Sequence, residues 1–80
     1  MDFRFCHSMP GRIRLSIPAL GQNRKLGEIC LGWLRAQDGI RTARINYDCA
    51  SLVLEYDPAH EQRLLLLLNS FKRMSLADLK

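Results

Sequence analysis

The feature that most constrains this chain is a change of period between two adjacent segments. From Arg12 to Ile17 the residues alternate, with Ile13, Leu15 and Ile17 on one side and Arg12, Arg14 and Ser16 on the other. Period two over six residues predicts a half-buried strand. After Pro18-Ala19-Leu20-Gly21 the spacing changes. Leu26, Ile29, Cys30, Trp33 and Leu34 fall at i, i+3, i+4, i+7 and i+8, a single stripe along a helix. That helix is expected over residues 22–36, with Asn23 as its N-cap candidate and Asp38-Gly39 ending it. Gly27 and Gly32 weaken it and imply a close backbone approach, expected to be toward a sheet.

Two more alternating segments follow. Residues 40–47 predict a second strand with Ala43 and Ile45 inward. Residues 51–56 predict a third, with Leu52, Leu54 and Tyr56 on one face and Val53 on the other. Asp48-Cys49-Ala50 reads as the turn between them, and Asp57-Pro58 as the end of the third. Pro58 suits the start of a second helix, over residues 59–73. Its leucine run, Leu64 to Leu68, exceeds a simple stripe. Leu64, Leu67, Leu68 and Phe71 are expected in the core, and Leu65 and Leu66 partly exposed, where they could meet another chain.

The pattern is a strand–helix–strand–strand–helix unit, one strand short of the split βαβ plan. Two segments compete for the fourth place: the tail, residues 74–80, and residues 2–6, where Phe3 and Phe5 alternate with Arg4 and Cys6 and Pro10-Gly11 can turn the chain. The second is preferred, as a hairpin against residues 12–17. The fold class expected is α+β, a ferredoxin-like sandwich within one 80-residue domain.

Size and composition narrow the functions. A chain this short buries only about 60% of its unfolded surface, yet 48% apolar residues is an ordinary globular content. No apolar run reaches the roughly 18 residues of a membrane span, and residues 1–5 lack the apolar stretch of a secretory signal, so a cytoplasmic setting is expected. Three cysteines, an odd number, argue against a disulfide framework. Cys30 falls on the apolar helix stripe and reads as a small buried hydrophobe. Cys6 and Cys49 are the thiols free to react. Paired carboxylates, a Ser/His/Asp set and a glycine-rich phosphate loop are all lacking in the pattern. Cys6 and His7, adjacent on an extended segment, point apart. Catalysis is therefore not expected.

From His7 onward the residues resemble a known family. His7-Ser8-Met9-Pro10-Gly11-Arg12-Ile13-Arg14-Leu15 is similar to the His-x-x-Pro-Gly-Arg-x-Arg opening of one branch of heavy-metal-associated (HMA) domains. Asp38-Gly39-Ile40, Arg44-Ile45-Asn46 and the run Leu52 to Pro58 resemble that family's later Gly-Val…Val-x-Val-Asn…Val-x-Tyr-Asp-Pro pattern. The resemblance implies a ferredoxin-like fold. It also implies a role in metal homeostasis, as a metallochaperone, a free-standing small protein, or an N-terminal cytosolic domain of a metal-pumping P-type ATPase. Typical members carry Cys-x-x-Cys in the first strand–helix loop, where two thiolates hold Cu(I) or Zn(II). Here that loop is Pro18-Ala19-Leu20-Gly21-Gln22-Asn23 and offers no such donor. The branch with this opening generally lacks the pair.

Two sets of candidate site residues remain. Cys6, His7 and Met9 place three soft donors within four residues, suited to Cu(I) or Zn(II). In the expected topology the start of the first βαββα strand, the end of the third and the start of the second helix share one pole. This brings the three toward His60, and toward Asp57 as a ligand or an acceptor behind one. The alternative is that these residues only pack around the Pro10 turn. The second set is Arg12 and Arg14 with Arg44 or Arg41, a basic sheet face with Glu55 pairing to one arginine. Net charge is +4. The outward positions carry no aromatic residue on which bases could stack, so RNA is disfavoured and a protein partner with an acidic surface is preferred. The leading expectation is thus a non-enzymatic binding or regulatory domain that docks to, or forms part of, a P-type ATPase. The rival is a metal-free interaction module working through the basic face, the exposed edge strands and the leucine-rich helix, with a homodimer as one form of it.

Overall fold

A computed structural model describes residues 2–73. The elements are β1 (Arg4–Met9), β2 (Arg12–Ser16), α1 (Arg24–Arg35), β3 (Ile40–Asn46), β4 (Ser51–Tyr56) and α2 (Glu61–Arg73), with short 3₁₀ turns at Pro18–Leu20 and Pro58–His60. The sheet order is β1-β2-β4-β3, every neighbouring pair antiparallel. The architecture is the expected α+β ferredoxin-like sandwich. The N-terminal strand fills the fourth place beside β2; a strand from residues 74–80 lies outside the described residues.

Alternation decides which face is covered. Ile13, Leu15, Ile17, Ala43, Leu52, Leu54 and Tyr56 are buried and meet Leu26, Cys30 and Leu34 of α1 and Leu64, Leu68 and Phe71 of α2. Leu65 and Leu66 are exposed, as expected. Leu67, read as a core residue, is only partly buried. An aromatic line closes the layer: Trp33 stacks on Phe71 at 5.6 Å, and Phe71 lies 6.0 Å from Phe3, which precedes β1 and is buried.

The turns follow from their residues. Pro10-Gly11 joins β1 to β2, and Gly11 has φ 84°, the left-handed conformation that the second central residue of a type II turn requires. The Gly11 carbonyl accepts from the Tyr56 amide at 2.9 Å, tying this hairpin to the end of β4. α1 begins at Arg24 rather than residue 22, because the Asn23 side chain accepts from the Leu26 amide at 3.0 Å and caps it there.

Three expectations are corrected. The N-terminal strand runs from Arg4 to Met9 instead of over residues 2–6, so His7 and Met9, expected beyond its end, lie with Cys6 within an edge strand. The second βαββα strand ends at Asn46, because the Asn46 side chain accepts from the amides of Asp48 and Cys49 and starts the turn. The glycines of α1 also differ from each other. A Cβ at Gly27 would overlap the phenol of Tyr47, whose ring carries the Arg24 guanidinium at 4.7 Å and whose hydroxyl donates to the Arg24 carbonyl at 3.4 Å. A Cβ at Gly32 would meet nothing within 4 Å. The close approach is thus made at one glycine, by a side chain from the end of β3.

This difference gives a paired prediction for chemical denaturation. Gly32→Ala gains about 0.5–1 kcal/mol, the helical advantage of alanine over glycine. Gly27→Ala displaces Tyr47 and shows no such gain. Equal stabilisation by both substitutions would contradict the contact between Tyr47 and α1.

Candidate functional site

Both helices cover one face of the sheet, and among the described residues no element covers the other. The strand register fixes what that free face displays. Across the order β1-β2-β4-β3 one row reads Met9, Arg12, Glu55, Thr42; the next His7, Arg14, Val53, Arg44; the third Arg4, Ser16, Ser51, Asn46. Four guanidinium groups therefore share a face with one carboxylate. Glu55 lies directly across from Arg12 in register, yet its carboxylate accepts from Arg44 on the far side, at 3.3 Å. Among the described residues neither the Arg12 nor the Arg14 guanidinium has an ion-pair or hydrogen-bond partner.

β1 joins this face through a bulge. Phe5 pairs with Leu15 and His7 with Arg14, so Cys6 is an extra residue between them. Because side chains alternate along a strand, one inserted residue reverses every face beyond it. Phe3 and Phe5 lie on the helix side, their rings edge to face at 5.8 Å. His7 and Met9 fall on the arginine side. With Arg12 and Arg14 they line a pocket of about 210 Å³.

The remaining candidates lie elsewhere. Cys6 is exposed at the bulge. His60 lies against Gly39 in a separate pocket of about 190 Å³, lined also by Asp38 and Arg63. Asp57 is near the Gly11 turn, as the pole argument requires, but its carboxylate accepts from the Ala59 amide at 3.0 Å and lies 3.9 Å from Arg41. Arg41 sits at a second bulge, between Ile40 and Thr42, and pairs with Asp57 off the arginine rows. Arg44, not Arg41, is the β3 member of the face.

The resemblance places a metal site in the loop after β2, and the geometry there does not support one. The loop after β2 is a 3₁₀ turn over Pro18–Leu20 with Leu20 fully buried, and residues 18–23 present no thiol, imidazole or carboxylate. Among the described residues no three His, Cys, Asp or Glu side chains come together in a way that could hold a metal ion. The residues present do not fit a thiolate-held ion in that loop.

Arg4 is the member of the face that sequence reasoning missed. Its signal was available, since Arg4 alternates with Phe3 and Phe5. The pocket was not available, because it depends on the bulge.

The three thiols differ sharply. Cys6 and Cys49 are exposed, whereas Cys30 is fully buried and burial raises its pKa above the ordinary thiol value. In the folded protein a thiol reagent should label Cys6 and Cys49 at once and Cys30 only on unfolding. The raised pKa also has a sign. The unfolded chain loses this proton first, so the stability tied to the neutral thiol is intact below about pH 8.5 and falls as pH rises above it. Cys30→Ala should shrink that alkaline loss, and rapid labelling of all three thiols in the folded state would contradict the packing.

Searches of curated proteins and of solved structures found no match. Among the described residues no helix is long and apolar enough to cross a membrane. One family model does match, that of heavy metal associated domain 2, over residues 3–78. This span takes in the whole sandwich and the arginine face with it, and the chain belongs to the heavy metal associated domain 2 family.

Proposed function

We propose that this chain is a non-enzymatic docking domain of metal homeostasis in the cytoplasm, and that its working surface is the helix-free sheet face. Membership of the heavy metal associated domain 2 family supports the setting. The observation that carries the mode of action is the set Arg4, Arg12, Arg14 and Arg44 on one sheet face with Glu55 as its one carboxylate. The strand register sets these residues in rows. Such a face favours a partner with an acidic surface and speeds encounter with it. By resemblance, the partner class is a metal-transporting P-type ATPase, either as a separate protein or as the rest of the same assembly.

The proposal is tested by binding to the cytosolic domains of a metal-transporting P-type ATPase from the same organism. Binding should weaken with salt, since screening lengths fall to about 8 Å at 0.15 M. Arg14→Glu with Arg44→Glu should reduce affinity about tenfold or more. Binding that ignores both salt and charge reversal would overturn the reading.

A second reading has one observation in its favour. His7 and Met9 share a pocket, and Cys6 adjoins them in sequence, so Cu(I) or Zn(II) held by these donors is a rival. Two unpaired guanidinium groups line the same pocket and repel a cation there. Titration of the reduced protein with Cu(I) and Zn(II) should therefore show only weak surface binding, unchanged in Cys6→Ser/His7→Ala. Tight one-to-one binding that the double substitution removes would establish the rival.

A further inference from the structure

From the spacing of the arginine rows we infer that the partner segment is an extended polypeptide with acidic residues at alternate positions, seated with two of its carboxylates on Arg12 and Arg14. This rests on the reading of the sheet face as a docking surface and adds the form of what docks.

Arg12 and Arg14 stand two residues apart on one face of β2, so their attachment points are separated by roughly 6.8 Å, twice the rise of a strand residue. An extended segment laid along β2 presents its own i and i+2 side chains at the same spacing and on the same side. Asp or Glu at those two positions meets both guanidinium groups without distortion. A helical segment places like-facing residues at i and i+4, about 6 Å apart along its axis, but rotates them away over successive turns.

The charges on the face agree with this register. Glu55 opposes Arg12 across the β2–β4 pair but is engaged by Arg44, leaving the Arg12 and Arg14 groups available. Arginine is suited to the task, because its planar fork receives a carboxylate through two parallel hydrogen bonds. On the β1 side of the arginines, His7 adds a ring N–H and the half-exposed Met9 side chain adds an apolar wall. The Cys6 bulge turns both residues onto this face, so the pocket is a product of the strand irregularity and not of chance surface charge.

The ligand is acidic protein, and the test separates it from two other anionic surfaces. Fluorescence anisotropy measures binding of two peptides of identical composition, one with Glu and Thr alternating and one with the same glutamates in a single block. Vesicles containing anionic lipid and free inorganic phosphate form two further arms. The alternating peptide should bind at least about fivefold more tightly than the blocked one. Arg12→Gln/Arg14→Gln should weaken it about tenfold, while the charge-matched control Arg63→Gln/Arg73→Gln on α2 changes it less than twofold. Backbone amide shifts on titration should concentrate at residues 7–14 of the unaltered protein, a readout independent of whether any variant folds.

Equal binding of both peptides, still lost in Arg12→Gln/Arg14→Gln, would overturn the extended form of the ligand and leave the docking face standing. Binding that the two double substitutions reduce alike would overturn both, as it reports net charge alone. Tighter binding to anionic vesicles or to phosphate than to the alternating peptide would also overturn the inference.

Discussion

One extra residue in an edge strand organises this molecule. β1 meets two demands: Phe3, just before it, packs against Phe71 beneath the helices, and its end runs into the Pro10-Gly11 turn. A regular ladder from the Phe5–Leu15 pair onward would place Cys6 opposite Arg14 and His7 opposite Ile13, putting His7 and Met9 with the core. Both are polar or adaptable side chains with no partner there. The bulge at Cys6 lets the same strand supply aromatic residues to one face and His7 and Met9 to the other. It also roughens an outer strand, as does the bulge at Arg41 on the opposite edge, and both lower the tendency of the edges to recruit another sheet.

The two faces follow from that division. The covered face is a core of Ile13, Leu15, Leu52 and Leu54 against Leu26, Leu34, Leu64 and Leu68, and most of the stability of so small a chain comes from it. The exposed ion pairs add little, since Arg44–Glu55 and Arg41–Asp57 lie in water and such pairs contribute about 0–1 kcal/mol. Their effect is on arrangement. Arg44 withdraws Glu55 from Arg12, and Arg41 holds Asp57 beside the second 3₁₀ turn. What is left is a field of positive charge on the helix-free face of the sheet.

Much of this was legible in the sequence because it rests on local period. The alternation through Ile13, Leu15 and Ile17 and through Leu52, Leu54 and Tyr56 gave the inward residues of both central strands, and Leu26, Cys30 and Leu34 gave the buried stripe of α1. Arg12 and Arg14 were placed outward by the same reasoning, with Arg44 or Arg41 beside them, and the register selects Arg44. The bulge was not legible. No glycine or proline marks it, and Arg4 to Met9 reads as well for an unbroken strand or an irregular lead-in. The position of His60 was equally out of reach. A shared pole of the fold is a broad region, and the packing of His60 on Gly39 decides which part of it the ring occupies. The empty loop after β2, in contrast, was plain from residue types alone.

The account turns on the parity of β1, and cross-strand nuclear Overhauser contacts in the labelled protein report it directly. Contacts of His7 with Arg14 and of Met9 with Arg12, together with Phe5 facing Leu15 and Cys6 facing no single partner, are the expected result. Contacts of Cys6 with Arg14 and of His7 with Ile13 would show a regular ladder, remove His7 and Met9 from the arginine face, and contradict the account at its root.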